Sequence, residues 1–341
     1  MALTRASFGL IHALNPKRTT LNFKLSMATS TRALASYIVE PAELAKALEA
    51  SPPLASPDTP RVIPISAEWY LPNDSRKGIE EFGKLRISTA RFFDLDAIKD
   101  HDSPYPHMLP TGETFSRAMS ELGVAREDTV VLYDSPQLGI FSAPRAAWTF
   151  RVFGHPRVHL LNNFKVWVEQ GFPVEKGPVG QAARTQYPVT EPDLSLVSSF
   201  EKMREIAEEG GREGVQILDA RPQGRFLGSD PEPRPGGFSL AVNYGDTLLL
   251  HSGYDCELVD PVTKKLRSGE ELGRILLSKG VDPSGEVEKR LMCGTGVTAA
   301  VIDSALQLAG FGGKREIYDG SWTEWALRVD EKSGLISKKQ I

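Results

Sequence analysis

The chain repeats itself. Displaced by 158 residues, the segment DTVVLYDSPQLGIFSAPRAAWTFRVFGHPRVHLLNNFKVWVEQG, which starts at Asp128, falls without a gap on the segment from Glu286 to Trp325. Phe153-Gly154 meets Phe311-Gly312, Phe164 meets Trp322 and Trp167 meets Trp325. Self-similarity of this kind fixes architecture before any single motif does. Each copy reads as an apolar run, a short Gly/Ser turn, a helix of about a dozen residues and a second short strand leading into an aromatic-rich segment. A strand, helix, strand unit implies a parallel sheet covered by helices. RVIPISAEW, from Arg61, and VQILDARPQ, from Val215, add one more buried-type strand to each half. The expected fold class is therefore α/β, with two tandem domains. Their expected limits are 36–174 and 194–331, joined by the Pro- and Gly-rich stretch 175–193 and followed by a tail, 332–341.

A length of 341 residues suits two such domains. A net charge of −4 gives no reason to expect nucleic acid or an anionic membrane as partner, and no apolar run is long enough to span a bilayer. Residues 1–35 differ from the rest. From Met1 to Val39 there is no Asp or Glu, while Arg5, Lys17, Arg18, Lys24 and Arg32 lie among Ser, Thr, Ala and Leu. That is the pattern of a mitochondrial transit segment. Met27 opens a second start that would give a shorter, cytoplasmic form.

Two cysteines, Cys256 and Cys293, make no disulfide framework and have no neighbours at zinc-binding spacing, so no metal site is expected. Cys293 begins CGTGVT, between an apparent strand and a helix. At the same displacement its counterpart is Ser135, which suggests a position exposed in both copies. Parallel sheets put ligands at the carboxyl ends of their strands, where the next helix aims its N-terminus. There a thiol ionises more readily and becomes a nucleophile. Gly294 and Gly296 let backbone amides turn inward, and with Val297 and Thr298 they would form an anion-binding nest. A plain glycine turn around a buried thiol is the alternative. A Cys-x5-Arg phosphatase is excluded, because Ala299 stands where the arginine is needed.

CGTGVT, YDGSWTEW from Tyr318, DARPQGRFLGSDPEPR from Asp219, and the stretch from Ala90 through FFDLD to SPYPHMLP together resemble the tandem-domain rhodanese family, most nearly its 3-mercaptopyruvate sulfurtransferases. The resemblance covers about Ser36 to Val329. It implies two rhodanese-like domains, the first without a catalytic cysteine, and an active site in the cleft between them. It further implies Cys293 as the sulfur carrier, Arg225 and Arg234 on the carboxylate and keto oxygen of 3-mercaptopyruvate, and a Cys293, Thr295, Asp96 relay. His107 would hydrogen-bond substrate or water. A thiol, a thioredoxin or cyanide would accept the sulfur, with no cofactor. Gly294 and Thr295 stand where thiosulfate sulfurtransferases carry basic residues. A thiosulfate enzyme and an impaired sulfur-carrier or binding protein are the alternatives. The latter is suggested by two departures: no Gly-His-x-Pro-Gly turn in Gly237 to Pro261, and charges in EVEKRLM where a central strand should be apolar. No catalytic role is expected for Cys256.

Overall fold

Two five-stranded sheets, parallel throughout, account for the repeat. The computed structural model describes residues 34–51, 59–232, 237–238, 248–249 and 257–337. The first sheet runs Ile38–Val39, Val158–Leu161, Thr129–Tyr133, Val62–Ser66, Arg91–Phe92. The second runs Val197–Ser198, Arg315–Tyr318, Glu288–Met292, Val215–Asp219, Leu248–Leu249. Taken in that order, each strand of one sheet has its counterpart in the other, with the same crossovers.

The helices Ala143–Val152 and Ala299–Leu308 follow the two central strands. Nearly every residue of both is buried, as expected for helices that meet apolar surface on all sides. One hydrophobic cluster includes Ala146, Trp148 and Phe150 with Val301, Ile302 and Ala305, so the halves share a core. Residues 175–193 do not form a loose tether. Tyr187 is buried, Thr185 N–H donates to Ser120 O at 3.0 Å, and His155 Nδ1 lies 2.8 Å from the Tyr187 hydroxyl.

The gapless alignment does not survive in three dimensions. Tyr133 pairs with Ser66 and Met292 with Asp219, and the next residue of each partner strand, Ala67 or Ala220, donates its N–H to the Tyr133 or Met292 carbonyl. Tyr133 and Met292 are thus equivalent, and the residue after each is Asp134 in one half and Cys293 in the other. The expected Ser135 counterpart is displaced by one. Nine residues, Asp134 to Ser142, precede the first helix, whereas six, Cys293 to Thr298, precede the second. The expected exposure is also wrong: Cys293 is 2% exposed and Ser135 3%.

The charged strand is central after all, paired on both sides. Lys289 is fully buried, yet its ammonium donates to three carbonyls, Ser284 O, Val287 O and Gly312 O, at 2.9 to 3.2 Å. Arg290 lies 2.5 Å from Glu288 and 3.5 Å from Glu316. Each buried charge has partners, which burial requires. The unfamiliar stretch after Arg234 still contributes to the fold. Gly237–Phe238 pairs antiparallel with Ile336–Ser337, and Leu248–Leu249 forms the sheet edge. Arg234, Cys256 and the basic stretch up to residue 33, Met27 included, lie outside the described residues.

Candidate active site

Cys293 follows directly on the strand Glu288–Met292, so the sheet fixes its Cα. The loop after it is held by the aromatic-rich segment of the same half. Cys293 N–H donates to Ser321 Oγ at 3.1 Å, Cys293 O accepts from Trp322 N–H at 2.9 Å, and Gly294 O accepts from both N–H and Oγ–H of Thr323. CGTGVT and YDGSWTEW are thus two sides of one hydrogen-bonded unit. Gly296 has φ +76°, and a Cβ there would lie 2.6 Å from Arg145 Nη1 and from Asp319 O. Only glycine fits. Val297 O and Thr298 O then accept the N–H groups of Ala300 and Val301, closing the turn into the helix.

A cavity of about 730 Å³ opens over this loop. Cys293, Gly294, Thr295 and Arg225 line it from the second half; Asp96 and His107 line it from the first. The structure therefore brings together every expected site residue that it describes. Their order differs from the expected Cys293, Thr295, Asp96 relay. His107 stands between the other two: its Nδ1 is 3.0 Å from Thr295 Oγ1 and its Nε2 is 3.3 Å from Asp96 Oδ1. An ionised carboxylate only accepts, so Nε2 donates to it, and in a neutral imidazole Nδ1 is then the acceptor for the Thr295 hydroxyl. The bond from His107 holds the Asp96 carboxyl below the usual carboxylate range.

Several contributors to this geometry are not visible in the sequence motifs. His107 has φ +61°, a conformation a non-glycine residue keeps only when its surroundings impose it. Arg145, 1% exposed, imposes it. Its Nη2 donates to His107 O and to Asp319 Oδ1, and its Nη1 to Gly296 O. Trp69 donates its indole N–H to Asp96 Oδ2 at 2.9 Å. Arg225 is not a free cation. Glu232 takes it bidentately, at 2.7 Å to Nε and 2.9 Å to Nη2, and also takes Arg221. A Cβ on Gly294 would lie 3.0 Å from Arg225 Nη2, so glycine lets this guanidinium lie against the loop. Of the two carboxylates in SDPEPR, Asp230 and Glu232, it is Glu232 that makes the pairing. Among the described residues no cluster of His, Cys, Asp or Glu is arranged to hold a metal ion, and no helix is long and apolar enough to cross a membrane.

Known proteins are similar to this chain over most of its length. Thiosulfate sulfurtransferase TUM1 of Saccharomyces cerevisiae is 40% identical over 293 residues, 81% of this chain and 91% of that protein. The chain belongs to the rhodanese family of sulfurtransferases. Thiosulfate/3-mercaptopyruvate sulfurtransferase 1, mitochondrial, of Arabidopsis thaliana is 35% identical over 289 residues, 78% of this chain and 72% of its own. SseA of Escherichia coli, described as having the rhodanese fold of 3-mercaptopyruvate sulfotransferases, superposes with a TM-score of 0.69 at 31% identity, over 84% of this chain and 99% of its own. No protein-family model matches the chain. The two sheets of this sulfurtransferase are accordingly tandem rhodanese domains with the active site between them.

Proposed function

We propose that this sulfurtransferase takes its sulfur from 3-mercaptopyruvate and carries it as a persulfide on Cys293. One observation carries the reading: the active loop bears no cation, and it meets instead an acid–base chain, Thr295, His107, Asp96. Thiosulfate is a dianion that calls for positive charge in the loop and leaves as stable sulfite, without a proton. Mercaptopyruvate leaves as an enolate whose carbon must be protonated, and a proton chain suits that need.

In the proposed sequence the Cys293 proton passes through Thr295 to His107, and Asp96 stabilises the resulting imidazolium. The thiolate attacks the sulfur of mercaptopyruvate. An S–S bond forms as the C3–S bond breaks, and the bonding pair remains on C3 as the enolate. His107 returns the proton through Thr295 to C3, giving pyruvate. The substrate's thiol hydrogen stays on the outer sulfur. Arg225 and Arg234 receive the carboxylate and keto oxygen, guanidinium forks being matched to such planar groups. A thiol, a thioredoxin-type protein or cyanide then removes the outer sulfur.

Pyruvate release from 3-mercaptopyruvate tests the reading, together with mass spectrometry of Cys293. A gain of about 32 Da, one sulfur atom, should appear on the parent and be absent from Cys293→Ser. A folded protein that gains nothing would instead support the carrier or binding alternative. The name of the yeast relative favours thiosulfate as a second donor. A higher kcat/KM for thiosulfate than for mercaptopyruvate would overturn the donor assignment. The mitochondrial name of the plant relative and the acid-free stretch to Val39 support a mitochondrial location, testable by imaging the fluorescently tagged full chain. The shorter form from Met27 finds no support in that name. The domain limits 36–174 and 194–331 belong to the same proposal.

A further inference from the structure

The first domain's loop, Asp134 to Ser142, has no thiol, yet it is as closely built as the active one. Asp134 is buried, and its carboxylate accepts the N–H groups of Phe141, Ser142 and Ala143 at 2.8 to 3.2 Å and the Ser142 hydroxyl at 2.6 Å. An internal anion thus fills the amide cradle at the position where the second domain has Cys293. With its hydrogen committed to Asp134, Ser142 Oγ offers a lone pair outward, and Trp69 N–H donates to it at 3.1 Å. The Trp69 ring lies parallel to Phe141 of the same loop, at 6.3 Å and 9°. Its edge meets His107 at 4.8 Å and 83°, and its indole N–H reaches Asp96 Oδ2.

We propose that Trp69 is a positioning residue for the proton chain, seating Asp96 so that Oδ1 stays on His107, and that the first domain's loop is retained as its mount. The Asp96 side chain is 60% exposed, so without a second anchor water competes for it and it can rotate away from His107. The contacts pass from residue to residue: Asp134 to Ser142, Ser142 to the Trp69 backbone N–H, the Trp69 indole N–H to Asp96, then His107 and Thr295. Five of these residues belong to the domain without a nucleophile. The inference rests on Thr295, His107 and Asp96 being the proton chain of the proposed reaction.

The test compares Trp69→Phe, Asp96→Asn and the double variant in steady-state pyruvate release from 3-mercaptopyruvate. Trp69→Phe keeps a ring against Phe141 and loses the N–H donor together with the second ring, which 3-benzothienylalanine retains. Its kcat should fall about tenfold with KM within about twofold, since the groups assigned to the substrate lie in the other domain. Acting through Asp96, it should slow the Asp96→Asn enzyme no further. If Asp96→Asn matches the parent, the proton-chain reading itself falls. If Asp96→Asn is slow while Trp69→Phe matches the parent, or if the two losses multiply, the positioning role is overturned. Should Trp69→Phe fold poorly, 3-benzothienylalanine at position 69 keeps the bicyclic shape without the N–H. The same loss of kcat is expected, and parental kcat would overturn the proposal.

Discussion

Gly296 occupies the tightest position in the active loop. Alanine there would need φ +76° and a Cβ 2.6 Å from both a buried guanidinium and a carbonyl. Gly296→Ala should therefore abolish persulfide formation and cost about 1–3 kcal/mol in denaturant unfolding; a variant with parental activity would refute the loop's geometry. Glu68 is the clearest titrating residue outside the site. Burial first, and then the nearby Asp134 charge, push its carboxyl up to about 8, while the hydroxyls of Tyr70 and Ser66 bond to it. The folded-state value lies above the ordinary one of 4.5. Its stabilising contribution is thus complete below about pH 4.5 and is lost as pH rises toward 8, at about 1.4 kcal/mol per unit. Glu68→Gln stays neutral throughout. It should match the parent near pH 5 and exceed it by a few kcal/mol near pH 8 to 9, read from unfolding midpoints at the two pH values. An equal difference at both would refute the assignment.

At the scale of elements, the two loops explain what the sequence could disclose. CGTGVT and YDGSWTEW are contiguous motifs whose residues bond to one another, so reading either one locates Cys293. Asp134 stayed hidden because the first loop is three residues longer, and the flanking strand and helix shift in opposite senses around an average displacement of 158. His107 stayed misplaced for another reason. Its position between Thr295 and Asp96 depends on a left-handed backbone and on domain docking, neither of which leaves a local pattern. The charged central strand is the converse case, where the pattern was plain but its explanation lay in distant carbonyls. Lys289 ties the 284–287 turn to Gly312 through three bonds. Lys289→Met would leave those carbonyls without a donor in the interior, at about 1–3 kcal/mol for each one that water cannot reach. A fall of roughly 3 kcal/mol in unfolding free energy is expected, with kcat of the folded enzyme within about twofold. Unchanged stability would mean the cage contributes nothing.

In the proposed reaction the two domains must hold one geometry, since Cys293 and Thr295 sit on one and His107 and Asp96 on the other. Among the described residues, three polar contacts add to the shared core in holding it. Arg151 of the first buried helix meets Asp303 of the second at 2.8 Å, and Asp303 also takes Arg315. The 257–267 segment hydrogen-bonds Asn162 and Asn163 through Leu266 and Thr263 and pairs Lys265 with Glu40. The third contact, Arg145 with Asp319, is nearest the chemistry. Asp319 Oδ2 also accepts Leu109 N–H at 2.8 Å, so the clamp grips the backbone on both sides of Met108, directly after His107, as well as Gly296. Its attraction is offset by the cost of burying two charges, so its main effect lies in geometry rather than in net stability. Arg145→Lys separates the two roles. The charge is kept, but a single ammonium cannot reproduce a planar fork that serves two carbonyls and a carboxylate. A misplacement of about 1 Å in His107 or the loop can cost about a hundredfold in rate. Arg145→Lys should therefore slow persulfide formation on Cys293 by roughly that factor in single-turnover experiments, while unfolding stability falls by less than about 3 kcal/mol. Asp319→Asn, which keeps an acceptor for Leu109 N–H, should be slowed less. Parental single-turnover rates in Arg145→Lys would show that the domains are aligned without the clamp.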